Sequence, residues 1–132
     1  SAASYVYKRH LLSKKLGDRL LVQCFDVRTL NYLHQKYPDV RLSYLVEDKN
    51  ATFEELMARL DFVPQVYSPE SDMLTEEIAG KVRAKGMELA PWTVDDKPET
   101  ERLKTLGVDA IITNQPDSVM RWLGYPENKG KE

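Results

Sequence analysis

A repeated pattern runs through the 132 residues of this chain: a short apolar run, a polar turn, and then an amphipathic helix. Apolar runs of about four to eight residues between turns indicate strands, and apolar residues three and four apart indicate helices. Strands that alternate with helices predict βα units and a parallel sheet with right-handed crossovers. The pattern predicts strands over 20–25, 40–46, 62–67, 87–93 and 110–113.

The predicted helices begin and end at residues with known capping preferences. Asp26 can cap a helix, and Thr52 with Glu55 matches the capping box at the start of another. Gly86 and Gly107 stand where helices are expected to end. The sequence predicts helices over 5–16, 27–36, 75–85, 98–106 and 116–123, and one that begins at 52.

Composition argues against several classes of protein. The net charge is -2, and the one basic cluster, Lys8, Arg9, Lys14 and Lys15, is typical of a solvated helix face, so we expect no nucleic-acid partner. No apolar run approaches the ~20 residues that a membrane span requires. The single cysteine, Cys24, excludes an internal disulfide. The compartment stays open, since the bacterial cytoplasm and the periplasm both fit the sequence.

Ligands of parallel α/β sheets bind outside the carboxyl ends of the strands. Trp92 follows Pro91 at such an end, where its ring can face a ligand instead of the core. The residues at the predicted strand ends are Gln23, Phe25, Asp26, Glu47, Asp48, Tyr67, Trp92, Thr93, Asp95 and Asn114.

Three runs occur in a fixed order: Gln-Cys-Phe-Asp at 23–26, Trp-Thr-Val-Asp at 92–95, and Gly-Val-Asp-Ala-Ile-Ile-Thr-Asn-Gln-Pro at 107–116. They resemble Gln-Ser-Phe-Asp, Trp-Thr-Val-Asn and Gly-Val-Asp-Gly-Ile-Ile-Thr-Asp-x-Pro in the C-terminal part of the glycerophosphodiester phosphodiesterase family. The likeness extends from about residue 18 to residue 123. The chain departs from the family pattern at Cys24, Asp95 and Asn114, where the family has Ser, Asn and Asp.

The resemblance implies an α/β fold, the C-terminal part of a (β/α)8 TIM barrel, with this chain supplying about strands 4 to 8. Residues 1–132 would form a partial barrel domain that lacks the N-terminal catalytic strands, with 127–132 as a flexible tail. The family's His-Arg-Gly has no match here, and no Glu-x-Asp or Glu-x-Lys lies within a predicted strand. His10 and His34 lie in helix-like segments. We therefore expect no catalytic residue and no metal ligand in this chain.

The resemblance also implies a reaction and a substrate. Complete family enzymes hydrolyse glycerophosphodiesters to glycerol 3-phosphate and an alcohol, with two His as acid and base and a divalent cation, Mg or Ca. Trp92 would lie against the glycerol or head group, Phe25 would form an apolar wall, and Gln23 would offer an amide. This chain would be a fragment, inactive alone, that supplies the substrate-side wall and binds no cation by itself.

A partial barrel leaves strand edges and an inner face uncovered. Cys24, Leu42, Leu45 and Ile112 are expected on that inner face. The expected partner is the missing N-terminal barrel half or a second copy of the chain. Two other interpretations stay open: a doubly wound receiver- or flavodoxin-like signalling module, and a non-catalytic homologue that only binds ligand. A receiver would require a Lys after its fifth strand, and the sequence has none there.

Overall fold

The computed structural model describes residues 19–127; the predicted helix over 5–16, with His10, and most of the tail lie outside them. Strands and helices alternate within this range, as the sequence predicts. The elements in chain order are β1 Leu21–Cys24, α1 Val27–Lys36, β2 Arg41–Val46, α2 Phe53–Ala58, β3 Val66–Pro69, a 3-10 turn Ser71–Met73, α3 Glu76–Ala84, β4 Glu88–Leu89, α4 Lys97–Leu106 and α5 Pro116–Trp122.

The strands form one parallel sheet in the order β1-β2-β3-β4, so that each strand lies beside the next one in the chain. Tyr44 pairs with Cys24 on one side and with Tyr67 on the other, and Tyr67 pairs with Leu89. A doubly wound sheet reverses its strand order at a switch point, and the described strands show no reversal. This order is the one expected for an arc of a barrel, and it argues against the receiver-like alternative.

Helices α1 to α4 pack on one face of this sheet. Alternate strand residues join them in a single apolar cluster, and Leu30 and Leu33 of α1 are completely buried in it. Cys24 and Leu42 belong to this cluster, so their expected place on the inner face is wrong: strand alternation turns them toward the helices. The cluster-facing strand residues are Val22, Cys24, Leu42, Tyr44, Val46, Tyr67 and Leu89.

The opposite side of the sheet, called the open face below, carries the other set of alternating residues. Leu45 is on this side, as expected, and its register partner is Ser68. Ile112 alternates with Ile111, which packs against the helix-side cluster, so Ile112 also points to the open side. The open-face strand residues are Leu21, Gln23, Arg41, Ser43, Leu45, Val66, Ser68 and Glu88.

Residues 109–113, called the edge segment below, lie beside β4 and beside residues 90–94, called the β4 extension. The sequence predicts a strand here, and the backbone is hydrogen-bonded to the β4 side without forming a regular ladder. The Ala110 amide donates to Leu89 O at 3.2 Å, the Ile112 amide donates to Pro91 O at 3.0 Å, and Ile112 O accepts from the Val94 amide at 3.0 Å. The edge segment therefore continues the strand order as a fifth member.

The helix starts are fixed by side chains that accept hydrogen bonds from the first turn. Asp26 and Thr52 cap α1 and α2 as expected, Thr75 caps α3, and Asp96 caps α4. Gly107 ends α4 with a φ of 75°, a left-handed conformation that favours glycine. Within 19–127, none of these helices has the length and apolarity needed to cross a membrane.

Candidate substrate-binding site

Trp92 lies just beyond β4 at the carboxyl end of the sheet and is held from three directions. Its indole N–H donates to Ser68 O at 2.8 Å. Its backbone amide donates to Pro69 O at 3.1 Å, and its carbonyl accepts from the Ser71 amide at 2.7 Å. The peptide bond to Thr93 is cis. With the indole nitrogen already bonded to the protein, the ring offers a ligand mainly its apolar surface.

Phe25 meets Trp92 across the sheet. Their ring centroids are 5.6 Å apart with the planes at 85°, an edge-to-face contact. Phe25 keeps 48% of its surface exposed, which is unusual for a phenylalanine and leaves a large part of the ring accessible to a ligand. The two predicted aromatic site residues are thus brought together as one apolar wall.

The contact between Phe25 and Trp92 also indicates that the sheet is curved. Phe25 follows β1 and Trp92 follows β4, and these strands stand at opposite ends of the order. Three strand spacings of about 4.8 Å would place the two strands roughly 14 Å apart in a flat sheet. Two side chains that extend perpendicular to a flat sheet would not meet over that distance. The sheet therefore curls, with its open face on the concave side.

Gln23 lies on the open face two residues before Phe25. Its amide Nε2 donates to Ser43 Oγ at 3.5 Å, so the side chain is directed across β2. Gln23 is exposed, and Ser43 is completely buried. The structure places Gln23 on the same concave surface as the aromatic pair but bonded to Ser43.

Asp95 links the carboxyl end of the β4 extension to the end of the edge segment. Its Oδ1 accepts from Thr113 Oγ1 at 2.9 Å and from the Asn114 amide at 2.8 Å, and its Oδ2 accepts from Asn114 Nδ2 at 3.2 Å. The hydrogen bonds from the Asn114 backbone and from Thr113 lower the pKa of Asp95 below its usual value. The carboxylate is consequently occupied in joining two chain segments.

Lys49 and Glu70 lie at the same end of the sheet, and the sequence reasoning missed both. Glu70 is bridged to Trp92 across the sheet, and Lys49 Nζ lies 3.5 Å from Glu70 Oε1 and 2.6 Å from Asp72 Oδ2. The hydrogen bond to Asp72 raises the pKa of Lys49. If the third strand had been predicted a few residues later in the chain, Glu70 would have stood at its carboxyl end and would have been a candidate site residue.

Arg102 of α4 fixes the turn that follows β3. Its guanidinium donates to Ser71 O and to Leu74 O, each at 2.8 Å, and Glu99 pairs with it from the same helix. The hydrogen bond from Arg102 lowers the pKa of Glu99. Because the Ser71 amide bonds to Trp92 O, Arg102 supports Trp92 through one intervening residue.

The described residues do not fit a hard cation. Within 19–127, no three His, Cys, Asp or Glu side chains come together as a set that could hold a metal ion. Two of the carboxylates predicted at strand ends already have partners, since Asp48 pairs with Arg59 at 3.1 Å and Asp95 accepts from Thr113 and Asn114. Tyr44 and Tyr67 are buried in the core, and burial raises the pKa of both.

The comparison with known families identifies the family to which this curled sheet and its aromatic wall belong. A model of the "Glycerophosphoryl diester phosphodiesterase family" matches residues 2–118. The chain belongs to this family. It corresponds to the C-terminal part of the family's TIM barrel, about strands 4 to 8, as the sequence resemblance predicts.

Individual relatives agree with this assignment and are longer than the part they share with this chain. A glycerophosphodiester phosphodiesterase of Bacillus altitudinis is 27% identical over 110 residues, which cover 81% of this chain and 44% of the relative. A glycerophosphodiester phosphodiesterase structure from Parabacteroides distasonis superposes with a TM-score of 0.72 at 22% identity, covering 92% of this chain and 50% of that one. An Oleispira antarctica phosphodiesterase, solved with the product sn-glycerol-3-phosphate, gives 0.67 at 18% identity and covers 79% and 41%.

Proposed function

We propose that this chain forms the substrate-side wall of an enzyme that hydrolyses glycerophosphodiesters to glycerol 3-phosphate and an alcohol. The observation that carries the proposal is the contact between Phe25 and Trp92 on the concave side of the sheet. An apolar wall at the carboxyl end of barrel strands is where the substrate of such a fold is expected to bind. In this assignment, the chain is a partial barrel domain that carries about strands 4 to 8, and the predicted tail over 127–132 lies almost entirely outside the described residues.

Trp92 and Phe25 bind and orient the glycerol part of the substrate. The indole face covers CH groups, and the hydrogen bond to Ser68 O keeps the ring from turning. Phe25 closes the side of the wall and excludes water from the bound group. Gln23 places an amide on the same surface, where it can exchange its bond to Ser43 for one to a substrate hydroxyl.

The acid, the base and the cation come from the part of the barrel that this chain does not contain. His34 is the one histidine among residues 19–127, and its ring stacks on Phe62 with centroids 4.1 Å apart and planes at 3°. That role in packing leaves it unsuited to proton transfer at the strand ends. A divalent cation, Mg or Ca, would supply charge stabilisation at the phosphoryl group when bound. Its ligands are assigned to the missing units, because the described residues offer no suitable set.

Complementation tests this function. The chain is mixed with a polypeptide that carries the first three βα units of a relative, and release of glycerol 3-phosphate is assayed with Mg or Ca. We expect turnover from the mixture and none from either part alone. Trp92→Ala should lower kcat/KM of the mixture by about tenfold or more, since the aromatic surface that orients the glycerol part is lost. Trp122→Phe on α5 is the matched control.

Two results would contradict the proposal. A complex that forms and yet releases no glycerol 3-phosphate would favour a non-catalytic homologue that only binds ligand. Turnover that is unaffected by Trp92→Ala would show that the aromatic wall has no part in the reaction.

A further inference from the structure

Glu70 stands beside Trp92 at the carboxyl end of the sheet. The two residues are bridged in parallel, so their chain segments are neighbours at a spacing of about 4.8 Å. The Glu70 amide donates to Val46 O at 2.9 Å, which continues the sheet one residue past β3. Ser68, two residues earlier, belongs to the open face, and strand alternation turns Glu70 to the same side. The carboxylate of Glu70 therefore borders the indole of Trp92.

Lys49, in the loop after β2, supplies a hydrogen-bond donor next to this carboxylate. Its Nζ lies 3.5 Å from Glu70 Oε1 and 2.6 Å from Asp72 Oδ2. The shorter contact, to Asp72, holds the ammonium group, whereas the longer one leaves Glu70 able to accept from a further partner. The side chains of Glu70 and Lys49 are 36% and 51% exposed, so a ligand can reach both.

The pair of Lys49 and Glu70 has little value for stability alone. Exposed ion pairs contribute little, because solvent screens the charges and two long side chains lose freedom. Lys97 and Glu101 form a comparable exposed pair on α4, with Nζ 3.8 Å from Oε1. The pair of Lys49 and Glu70 differs from it in bordering the aromatic wall, where the glycerol part of the substrate is proposed to bind.

A carboxylate, an ammonium group and an aromatic face together match an alcohol hydroxyl and its carbon chain. Each hydroxyl both donates and accepts a hydrogen bond, so a carboxylate and an ammonium group satisfy it fully. Such hydrogen bonds to charged groups are stronger than those between neutral groups. A phosphate at this place would be repelled by Glu70 and Asp72, and a cationic amine would be repelled by Lys49.

We propose that Glu70 and Lys49 bind the terminal hydroxyl of the glycerol part of the substrate. The hydroxyl donates to the Glu70 carboxylate, and Lys49 Nζ donates to the hydroxyl oxygen. The CH groups of the glycerol lie on Trp92, and the phosphoryl group faces away from this pair. This inference rests on the proposed function, because it takes the ligand to be the glycerol part of a phosphodiester.

Selectivity between two ligands tests this assignment: sn-glycerol 3-phosphate and a deoxy analogue that lacks the terminal hydroxyl. Calorimetric titration of the complete barrel, assembled as in the complementation assay, gives Kd for each ligand. We expect glycerol 3-phosphate to bind about tenfold or more tightly than the analogue, because the analogue leaves both charged groups without a partner. Glu70→Ala should reduce this preference to about twofold or less, mainly by weakening the binding of glycerol 3-phosphate.

Matched variants separate binding of the hydroxyl from support of the fold. Glu70→Gln keeps a neutral acceptor and should retain part of the preference, whereas Lys49→Met should lower it about threefold or more. Glu101→Gln on α4 removes the same charge from the comparison pair and should leave both Kd values unchanged. The melting temperature of each variant should stay within about two degrees of the wild type, because both pairs are exposed.

Four results would overturn the proposal. They are equal affinity of the wild type for the two ligands, an unchanged preference in Glu70→Ala, no saturable binding by the barrel or by the chain alone, and a fall of about ten degrees or more in the melting temperature of Glu70→Ala. The last result would show that the pair supports the fold instead.

Turnover measured on the same samples distinguishes this proposal from the proposed function. A barrel that binds with the expected selectivity and releases no glycerol 3-phosphate from a diester would count against the reaction and leave the hydroxyl site standing. Turnover with a preference that ignores Glu70→Ala would leave the reaction standing and overturn the hydroxyl site.

Discussion

At the scale of single residues, Asp95 and Asn114 are two departures from the family pattern that meet in one contact. The family pattern has Asn at the first position and Asp at the second, and this chain has the reverse. The structure brings the two side chains into contact, with Asn114 Nδ2 donating to Asp95 Oδ2 at 3.2 Å. One carboxylate and one amide therefore face each other between the two segments.

The exchange predicts a specific pattern of stabilities. Asn114→Asp places two carboxylates side by side, and their repulsion should lower the melting temperature by a few degrees at neutral pH. The double variant Asp95→Asn, Asn114→Asp restores one carboxylate and one amide and should recover most of that loss. Thermal melts of the four proteins form a double-mutant cycle. Additive effects of the two substitutions would show that the pair is not coupled.

The pKa of Asp95 predicts a dependence of stability on pH. Its folded-state pKa lies below the unfolded value of 3.8. A lowered carboxyl pKa stabilises the folded state above the unfolded value, and this contribution is lost as the pH falls through the folded value. Asp95→Asn removes a titrating group, so its melting temperature should fall less than that of the wild type between about pH 6 and pH 2.5.

Asp117→Asn, an exposed substitution on α5 outside this network, is the control for the pH series. It should follow the wild-type profile. A profile of Asp95→Asn that also follows the wild type would show that the hydrogen bonds to Asp95 do not favour its charged form.

At the scale of elements, local signals predicted the helices better than the strands. Helix α1 spans Val27–Lys36, as predicted, because Asp26 and the apolar spacing of Leu30 and Leu33 are local features. The third strand was placed at 62–67 and lies at Val66–Pro69. Phe62 suggested a strand, but its ring packs against His34 instead.

The candidate site was predictable only in part, because one of its contacts depends on how strands that are distant in the sequence pair with each other. Sequence position placed Phe25 and Trp92 at strand ends, and the parallel sheet brought them together. The group that orients the indole is the carbonyl of Ser68, 24 residues away along the chain. A backbone carbonyl carries no signal in the sequence, and its position depends on the register between strands, which only the folded sheet sets.

The turn over Ser71–Met73 depends on a contact from another element, and this predicts the effect of changing Arg102. Arg102→Ala removes two hydrogen bonds to the carbonyls of Ser71 and Leu74 and the pair with Glu99. We expect a loss of roughly 1–2 kcal/mol in the free energy of unfolding. The amides of 71–74 should also exchange faster with solvent.

Arg102→Lys is the matched variant, since it keeps the charge and loses the planar fork that reaches two carbonyls. It should recover only a small part of the stability. In the complemented enzyme, both variants should raise KM more than they lower kcat, because Trp92 is supported through Ser71. Equal stability of Arg102→Ala and the wild type would show that the turn holds without this contact.

At the scale of the whole molecule, the two faces of the sheet are covered to different extents by the described residues. The helix-side face is complete within the described residues, and its strand side chains are packed against α1 to α4. The open face is concave, carries Gln23, Leu45 and the aromatic wall, and has no helix layer among the described elements. The stability of the chain alone should therefore depend on the first face, and association with the rest of the barrel on the second.

Leu42 and Leu45 provide a matched test on the same strand, because they point to opposite faces. Leu42 is 1% exposed in the core. Leu42→Asn should cost roughly 3–5 kcal/mol, since it loses apolar burial and buries an amide without a partner. Leu45 is half-buried on the open face. Leu45→Asn should cost the chain alone about 1 kcal/mol or less, while weakening the complex with the first three units at least tenfold.

Urea unfolding of the chain alone and titration with the first three units measure these two effects separately. The two effects can be separated because β2 directs alternate side chains to opposite faces. One face packs against the helices, and the open face would be buried only in a closed barrel. If Leu45→Asn unfolds the chain as strongly as Leu42→Asn does, the open face is already a core. The sheet would then be a self-sufficient layer, and the chain would not be one arc of a larger barrel.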